Sequence, residues 1–130
     1  MKRILLATIF AMMSLVVSAQ TDTTKKIDTT FHSVEKIPEF PGGPEKLFRF
    51  IAKNLKYPTG ETVEGRVNIS FVIERDGSLT DFKVVKSLSE ATDAEAIRVM
   101  SISPKWQPGL QNGHPVRVRY SIPISFSSSN

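Results

Sequence analysis

Two runs of strict alternation constrain this chain more than any other feature. Val63, Gly65, Val67, Ile69, Phe71 and Ile73 point one way, while Glu64, Arg66, Asn68 and Ser70 point the other. Near the C-terminus, Val116, Val118, Tyr120, Ile122, Ile124 and Phe126 alternate with Arg117, Arg119, Ser121 and Ser125. A period of two places every second side chain on one face, so each run predicts a strand with one apolar face. That face needs a cover, and two segments of helical period supply it. Pro41-Gly42-Gly43-Pro44 predicts a turn opening a helix, with Pro44 at the first helical position. Leu47, Ile51 and Leu55 recur at i, i+4 and i+8, and Phe48 with Ala52 is expected to widen the stripe. Tyr57-Pro58 ends the helix, because proline neither donates nor tolerates a helical residue before it.

Arg75-Asp76-Gly77-Ser78 predicts a hairpin turn, followed by a return strand from Leu79 to Lys86. Thr92-Asp93-Ala94-Glu95 reads as a capping box. It opens a second helix that buries Ala94, Ile97 and Met100 and stops before Pro104. The expected fold is α+β, a three-stranded antiparallel sheet with two helices packed on one face, in the order α-β-β-α-β. With 130 residues, 40% hydrophobic and 23% charged, the chain suits one such globular domain.

The domain does not begin at the N-terminus. Met1-Lys2-Arg3, an apolar run from Ile4 to Val17 and the small-residue pattern Val17-Ser18-Ala19 describe a signal peptide over 1–19, cut before Gln20. The alternative is an uncleaved membrane anchor, although the run falls short of the roughly 20 apolar residues a span needs. Residues 20–37 are rich in Thr and charge and show neither period, which predicts a flexible tether. All eight prolines and seven glycines lie at or beyond Pro38, and the domain is expected over 38–130.

Chemistry-bearing residues are scarce. The absence of cysteine leaves no disulfide, thiolate ligand or thiol nucleophile. His32 and His114 stand apart from each other and from any carboxylate at ligand spacing, so no metal or other cofactor is expected. Gly42-Gly43 lacks the Lys-Ser/Thr of a phosphate loop. No catalytic group is in prospect, and an enzyme is not expected. Arg98, Lys105, Arg117 and Arg119 make a mild basic face, too weak to predict nucleic-acid binding at a formal net charge of +4.

What remains is an edge. Pro123 sits inside the last strand, and proline in a strand is confined to an edge, an end or a bulge. An available edge recognises extended peptides by β-augmentation. Arg117 and Arg119 either guard that edge against self-pairing or select an acidic partner. On this reading Ile122→Pro would remove a further edge amide.

The chain resembles a known family in several motifs. They are Tyr57-Pro58, Glu64-Gly65-Arg66-Val67, Phe71-Val72-Ile73 with Asp76-Gly77, and Ser103-Pro104-Lys105-Trp106-Gln107-Pro108-Gly109. Asn112-Gly113 with Pro115-Val116, and Ile122-Pro123-Ile124-Ser125-Phe126, complete the set. Their order and spacing are similar to the C-terminal domain of TonB energy transducers of the Bacteroidetes type, over about Phe40 to Phe126. The resemblance implies a periplasmic domain of a Gram-negative bacterium, or one held on the periplasmic side of the inner membrane. It implies binding to the TonB box of outer-membrane TonB-dependent receptors, in energy-coupled transport. It makes the strand from Val116 through Arg117, Val118, Arg119, Tyr120, Ser121, Ile122, Pro123, Ile124 and Ser125 to Phe126 the partner-binding strand. Trp106, Gln107 and Pro108 would flank it, with Trp106 alternatively ordinary core. If 1–19 is an anchor, the resemblance further implies ExbB and ExbD as motor partners. A self-associating envelope subunit, or a weak homodimer, stays open as an alternative. Mass spectrometry of the protein recovered from cells is expected to find Gln20 at the N-terminus; Met1 would establish the anchor instead.

Overall fold

The computed structural model describes residues 30–127. The expected signal peptide and the first part of the expected tether lie outside the described residues. Two helices and five strands follow in the order β1 (Thr30–Phe31), α1 (Pro44–Asn54), β2 (Gly65–Ile73), β3 (Leu79–Lys86), α2 (Glu90–Ser101), β4 (Gly109–Gln111) and β5 (His114–Phe126). The sheet runs β1-β5-β2-β3, with β4 paired to β5. The expected antiparallel strands β2, β3 and β5 are present, but the sheet has more than three strands, and β5 lies between β1 and β2 rather than at its end. Two short strands are added: β4 pairs with β5 antiparallel, and β1 makes the sheet mixed by pairing with β5 in parallel. Neither reaches the length at which a period of two becomes visible.

Residues 30–37, assigned by sequence to the tether, are held against the domain. Thr30 and Phe31 pair with Arg117 and Val118. The Glu35 carboxylate accepts the Asn112 amide at 2.7 Å, at the turn between β4 and β5. Lys36 and Glu39 then bridge Leu110 and Gln107. This strap is fastened chiefly by backbone groups, which carry no compositional signature.

The core fills one face of the sheet. Val67, Ile69, Phe71 and Ile73 of β2 and Ile122, Ile124 and Phe126 of β5 pack with Leu47 of α1 and with Ala96, Val99 and Met100 of α2. The buried face of α2 therefore includes Ala96 and Val99 rather than the expected Ala94, which is exposed. The helix also starts earlier than expected. Ser89, not Thr92, is the N-cap, and it accepts the Thr92 amide while its own amide donates to Thr92 Oγ1. Thr92 is fully buried and satisfied by that exchange, which frees Glu95 for another task.

Trp106 anchors the centre. Its ring meets Phe71 at 5.6 Å, Tyr120 at 5.7 Å and Phe40 at 5.8 Å between centroids, in edge-on arrangements favoured by the aromatic quadrupole. Its indole N–H donates to Ser103 Oγ at 2.9 Å, and its backbone N–H donates to the Gly77 carbonyl at 2.9 Å. Gly77 has φ +90°, and a Cβ there would lie 2.0 Å from the Trp106 carbonyl oxygen. Gly113, in the β4–β5 turn, has φ +78° but open space around it. Gly77→Ala is therefore expected to destabilise by more than about 2 kcal/mol, adding a backbone clash to the strain of positive φ. Gly113→Ala should cost only about 1 kcal/mol. Thermal unfolding of the two variants side by side separates clash from strain.

Candidate functional site

The geometry of β5 follows from Pro123. Pairing with β2 continues from Gly65↔Phe126 through Asn68↔Pro123 to Ile73↔Val118 without a shift of register. Proline has no amide to exchange, so Asn68↔Pro123 is a non-hydrogen-bonded pair, and Val67↔Ile124 and Ile69↔Ile122 are the bonded pairs flanking it. The amides and carbonyls of Ile122, Ile124 and Phe126 consequently point at β2. Those of Ser121 and Ser125, with the carbonyl of Pro123, point to the opposite edge. On that edge β1 covers Arg117 and Val118, and beyond Arg119 no strand is present among the described residues. The expected edge strand is thus an edge only in its second half.

Alternation also decides the side chains. Tyr120, Ile122, Ile124 and Phe126 face the core, while Ser121, Pro123 and Ser125 are exposed on the other face. Arg117 and Arg119 lie on that second face and are already engaged. Arg117 Nε donates to Glu74 Oε1 at 2.7 Å and Nη2 to Oε2 at 3.1 Å, and Nη1 reaches Thr30 Oγ1 at 3.0 Å. Arg119 Nη1 donates to Ser70 Oγ at 2.7 Å, and Nη2 pairs with the Asp81 carboxylate. Asp81 sits at φ 51°, where the β2–β3 register shifts between Ser70 and Val72. That bulge carries its carboxylate to Arg119. Neither arginine stands ready to select an acidic partner. Arg98 pairs with Glu95 and Lys105 with Asp76, so all four cations of the expected basic face have carboxylate partners.

Between the outer edge of β5 and α1 lies a groove of about 460 Å³, within the usual range for binding clefts of roughly 300–1,000 Å³. Pro123 to Ser127 form one wall, and Phe48, Ile51, Ala52, Leu55 and Tyr57 the other. Sequence reasoning placed Phe48 and Ala52 in the core stripe. The structure leaves both exposed, Phe48 to 67%, and packs Phe50 against Phe40 instead. A helical wheel accommodates either choice; the position of Phe40, brought in by the strap, selects Phe50. The flanking residues read from sequence lie elsewhere. Trp106 is core, and the Gln107 backbone is engaged in the bridge to Glu39. None of Trp106, Gln107 and Pro108 lines the groove.

The helical wall is fixed from behind by α2. Arg98 Nη2 donates to the Asn54 carbonyl at 2.7 Å, satisfying an orphan group at the end of α1. Glu95 Oε2 accepts the Lys56 amide at 2.7 Å and is itself gripped by Arg98. The Tyr57 hydroxyl donates to the Val63 carbonyl, and burial raises its pKa.

The Gram-negative bacterial TonB protein C-terminal model matches residues 54–128, a span containing all of β5. The chain belongs to the TonB C-terminal family. Two NMR solution structures of the Helicobacter pylori TonB-CTD, residues 179–285 and 194–285, are similar to it with a TM-score of 0.50 and 29% identity each. They match 66% of this chain, covering 80% and 94% of their own lengths. No curated protein matches. The TonB family is transport-associated and non-catalytic and belongs to the envelope of Gram-negative bacteria, with TonB-dependent receptors as its general partners. No helix among the described residues is long and apolar enough to cross a membrane.

Two carboxylates that organise this TonB domain are held below their ordinary pKa. For Glu74 the leading cause is the Arg117 hydrogen bond, and for Glu95 it is that from Arg98. A carboxylate depressed by folding contributes stability above its unfolded pKa and loses it as pH falls through the folded value. Thermal stability is therefore expected to be flat near neutrality and to decline below about pH 4, where free glutamate protonates. Glu74→Gln should be less stable at pH 7 and show a shallower acid decline, as read by melting curves across pH.

Proposed function

We propose that this protein binds extended segments of outer-membrane TonB-dependent receptors, the TonB box, as a strand added to the outer edge of β5 from Ser121 to Ser125. The reading rests on one observation. That edge presents main-chain donors and acceptors with no partner among the described residues, beside an apolar groove. Strand addition supplies both missing halves, main-chain hydrogen bonds for affinity and alternate side-chain contacts for specificity. Membership in the TonB family supports receptors as the partner and energy-coupled transport as the setting. Export by the N-terminal segment would place the domain in the periplasm. Retention of that segment as an anchor would add ExbB and ExbD and make the chain a complete transducer.

The orientation of the amides determines how the edge is tested. Ile122 donates toward β2, so Ile122→Pro would break the central ladder instead of blunting the edge. Ser121 donates outward, and Ser121→Pro removes one outer amide while leaving the β2 ladder whole. Titrating the full chain with peptides from receptor N-terminal segments should give saturating NMR shifts concentrated on Ser121 to Phe126. Ser121→Pro, checked as folded by circular dichroism, should weaken binding by about tenfold or more, an effect near 1.4 kcal/mol. Unchanged binding in that variant would refute strand addition, and shifts that grow with protein concentration alone would point to pairing between copies.

A further inference from the structure

We propose that the uncovered face of the sheet is a docking surface for an anionic lipid bilayer, with Arg66, Lys83 and Lys86 meeting headgroup phosphates and Val85 entering the interface between them. The inference is independent of strand addition, because the outer edge of β5 plays no part in it. Both helices pack on the face that carries Val67, Ile69, Ile122 and Ile124, and no helix packs on the other among the described residues. Alternation puts Arg66, Asn68 and Ser70 of β2 on that open face. Register adds Lys86, opposite Asn68, and Lys83, opposite Ser70. Two pleats of a strand span about 14 Å, so the three cations fall within one patch. Between the lysines β3 makes a bulge. Asn68↔Lys86 is followed by Ile69↔Val84, which leaves Val85 with no opposite residue on β2. Phe82 and Val84 pack against the core, and Val85 is turned out and 65% exposed.

The charge of this patch is not consumed within the sheet. Arg66 and Lys86 form no ion pair among the described residues, and Lys83 has only Asp81 at 3.9 Å, whose carboxylate Arg119 already holds. The acids of the open face, Glu74 and Asp81, lie toward the other end of the strands and answer Arg117 and Arg119. Glu64, the acid nearest Arg66 in sequence, is not free. Three cations around an exposed valine on an uncovered sheet suit a surface that is anionic outside and apolar beneath. A bilayer of acidic lipids is such a surface, and each Lys or Arg brought to it contributes about fivefold in affinity. A nucleic acid or a purely acidic polypeptide would answer the cations but offers no apolar layer to Val85. The envelope setting of the family puts lipid within reach. If residues 4–17 stay in a membrane, residues 18–29 hold Thr30 within about 40 Å of it, and they carry Lys25 and Lys26.

Cosedimentation of the full chain with vesicles tests this. One set is phosphatidylcholine alone and the other phosphatidylcholine with phosphatidylglycerol; any binding through the N-terminal segment is common to every variant compared. The chain should prefer the phosphatidylglycerol vesicles. That preference should fade as salt rises, because exposed charges are screened beyond about 10 Å at 0.1 M. Replacing Arg66, Lys83 and Lys86 together by Ser, at exposed positions and with an unchanged melting temperature, should weaken binding to those vesicles by about a hundredfold. Replacing Lys46, Arg49 and Lys53 of α1 by Ser removes the same charge from the opposite side and should leave that binding nearly unchanged. Val85→Ser should weaken it severalfold and leave any binding of soluble polyglutamate as it was. Equal losses in the two triple variants, or a preference that survives in the first, would overturn the proposal. So would an unaltered chain that ignores the vesicles but binds polyglutamate through Arg66, Lys83 and Lys86, an outcome that assigns the face to an acidic protein.

Discussion

Pro123 has no amide to give to a neighbouring strand, yet it lies in the middle of the longest ladder in the domain. The β2–β5 pairing tolerates it only where its nitrogen faces away from β2. That requirement sets the phase of every other residue in β5. Ile122, Ile124 and Phe126 bond to β2 and drive their side chains into the core; Ser121 and Ser125 direct their main-chain groups outward. A slip of one residue would ask Pro123 to donate to β2 and would turn Ile122, Ile124 and Phe126 out to solvent. The register is therefore held twice, by burial and by the missing amide.

The two faces of the sheet then take different roles. On the core face, Trp106 closes the space between β2, β5 and the strap, and the absence of a side chain at Gly77 lets its carbonyl meet the Trp106 amide. On the other face, Arg117 and Arg119 bind Glu74, Ser70 and Asp81 across the strands. Such cross-strand pairs lock register and cover Ser70 and Val72, which are buried on a face that is otherwise polar. The charges an isolated strand offers to a partner are here consumed by its neighbours.

What is left for recognition is the stretch these arrangements do not use. The outer edge beyond Arg119 has no strand beside it among the described residues. The helix facing it is fixed from behind by Arg98 and Glu95, leaving a groove between. The proposed strand addition would complete the sheet along that edge. The strap occupies the same edge at Arg117 and Val118, so a partner strand extending past Arg119 toward Arg117 would have to displace Thr30 and Phe31.

The sequence by itself determined the helices of the domain, the strands β2, β3 and β5, the apolar faces of β2 and β5, and a restricted edge at Pro123. Each of these rests on a local period or a covalent property of one residue. It also carried the family resemblance, through motifs whose order survives without knowledge of their contacts. Only the tertiary structure decided where β5 lies in the sheet and which half of it stays open, because strand neighbours are chosen by long-range pairing. It decided that Phe50 rather than Phe48 packs inward, since both fit the helical stripe and only the position of Phe40 separates them. It assigned partners to Arg117 and Arg119, whose carboxylates lie far away in sequence. It added β1, β4 and the strap, which are held mainly by backbone hydrogen bonds that every residue type except proline can make.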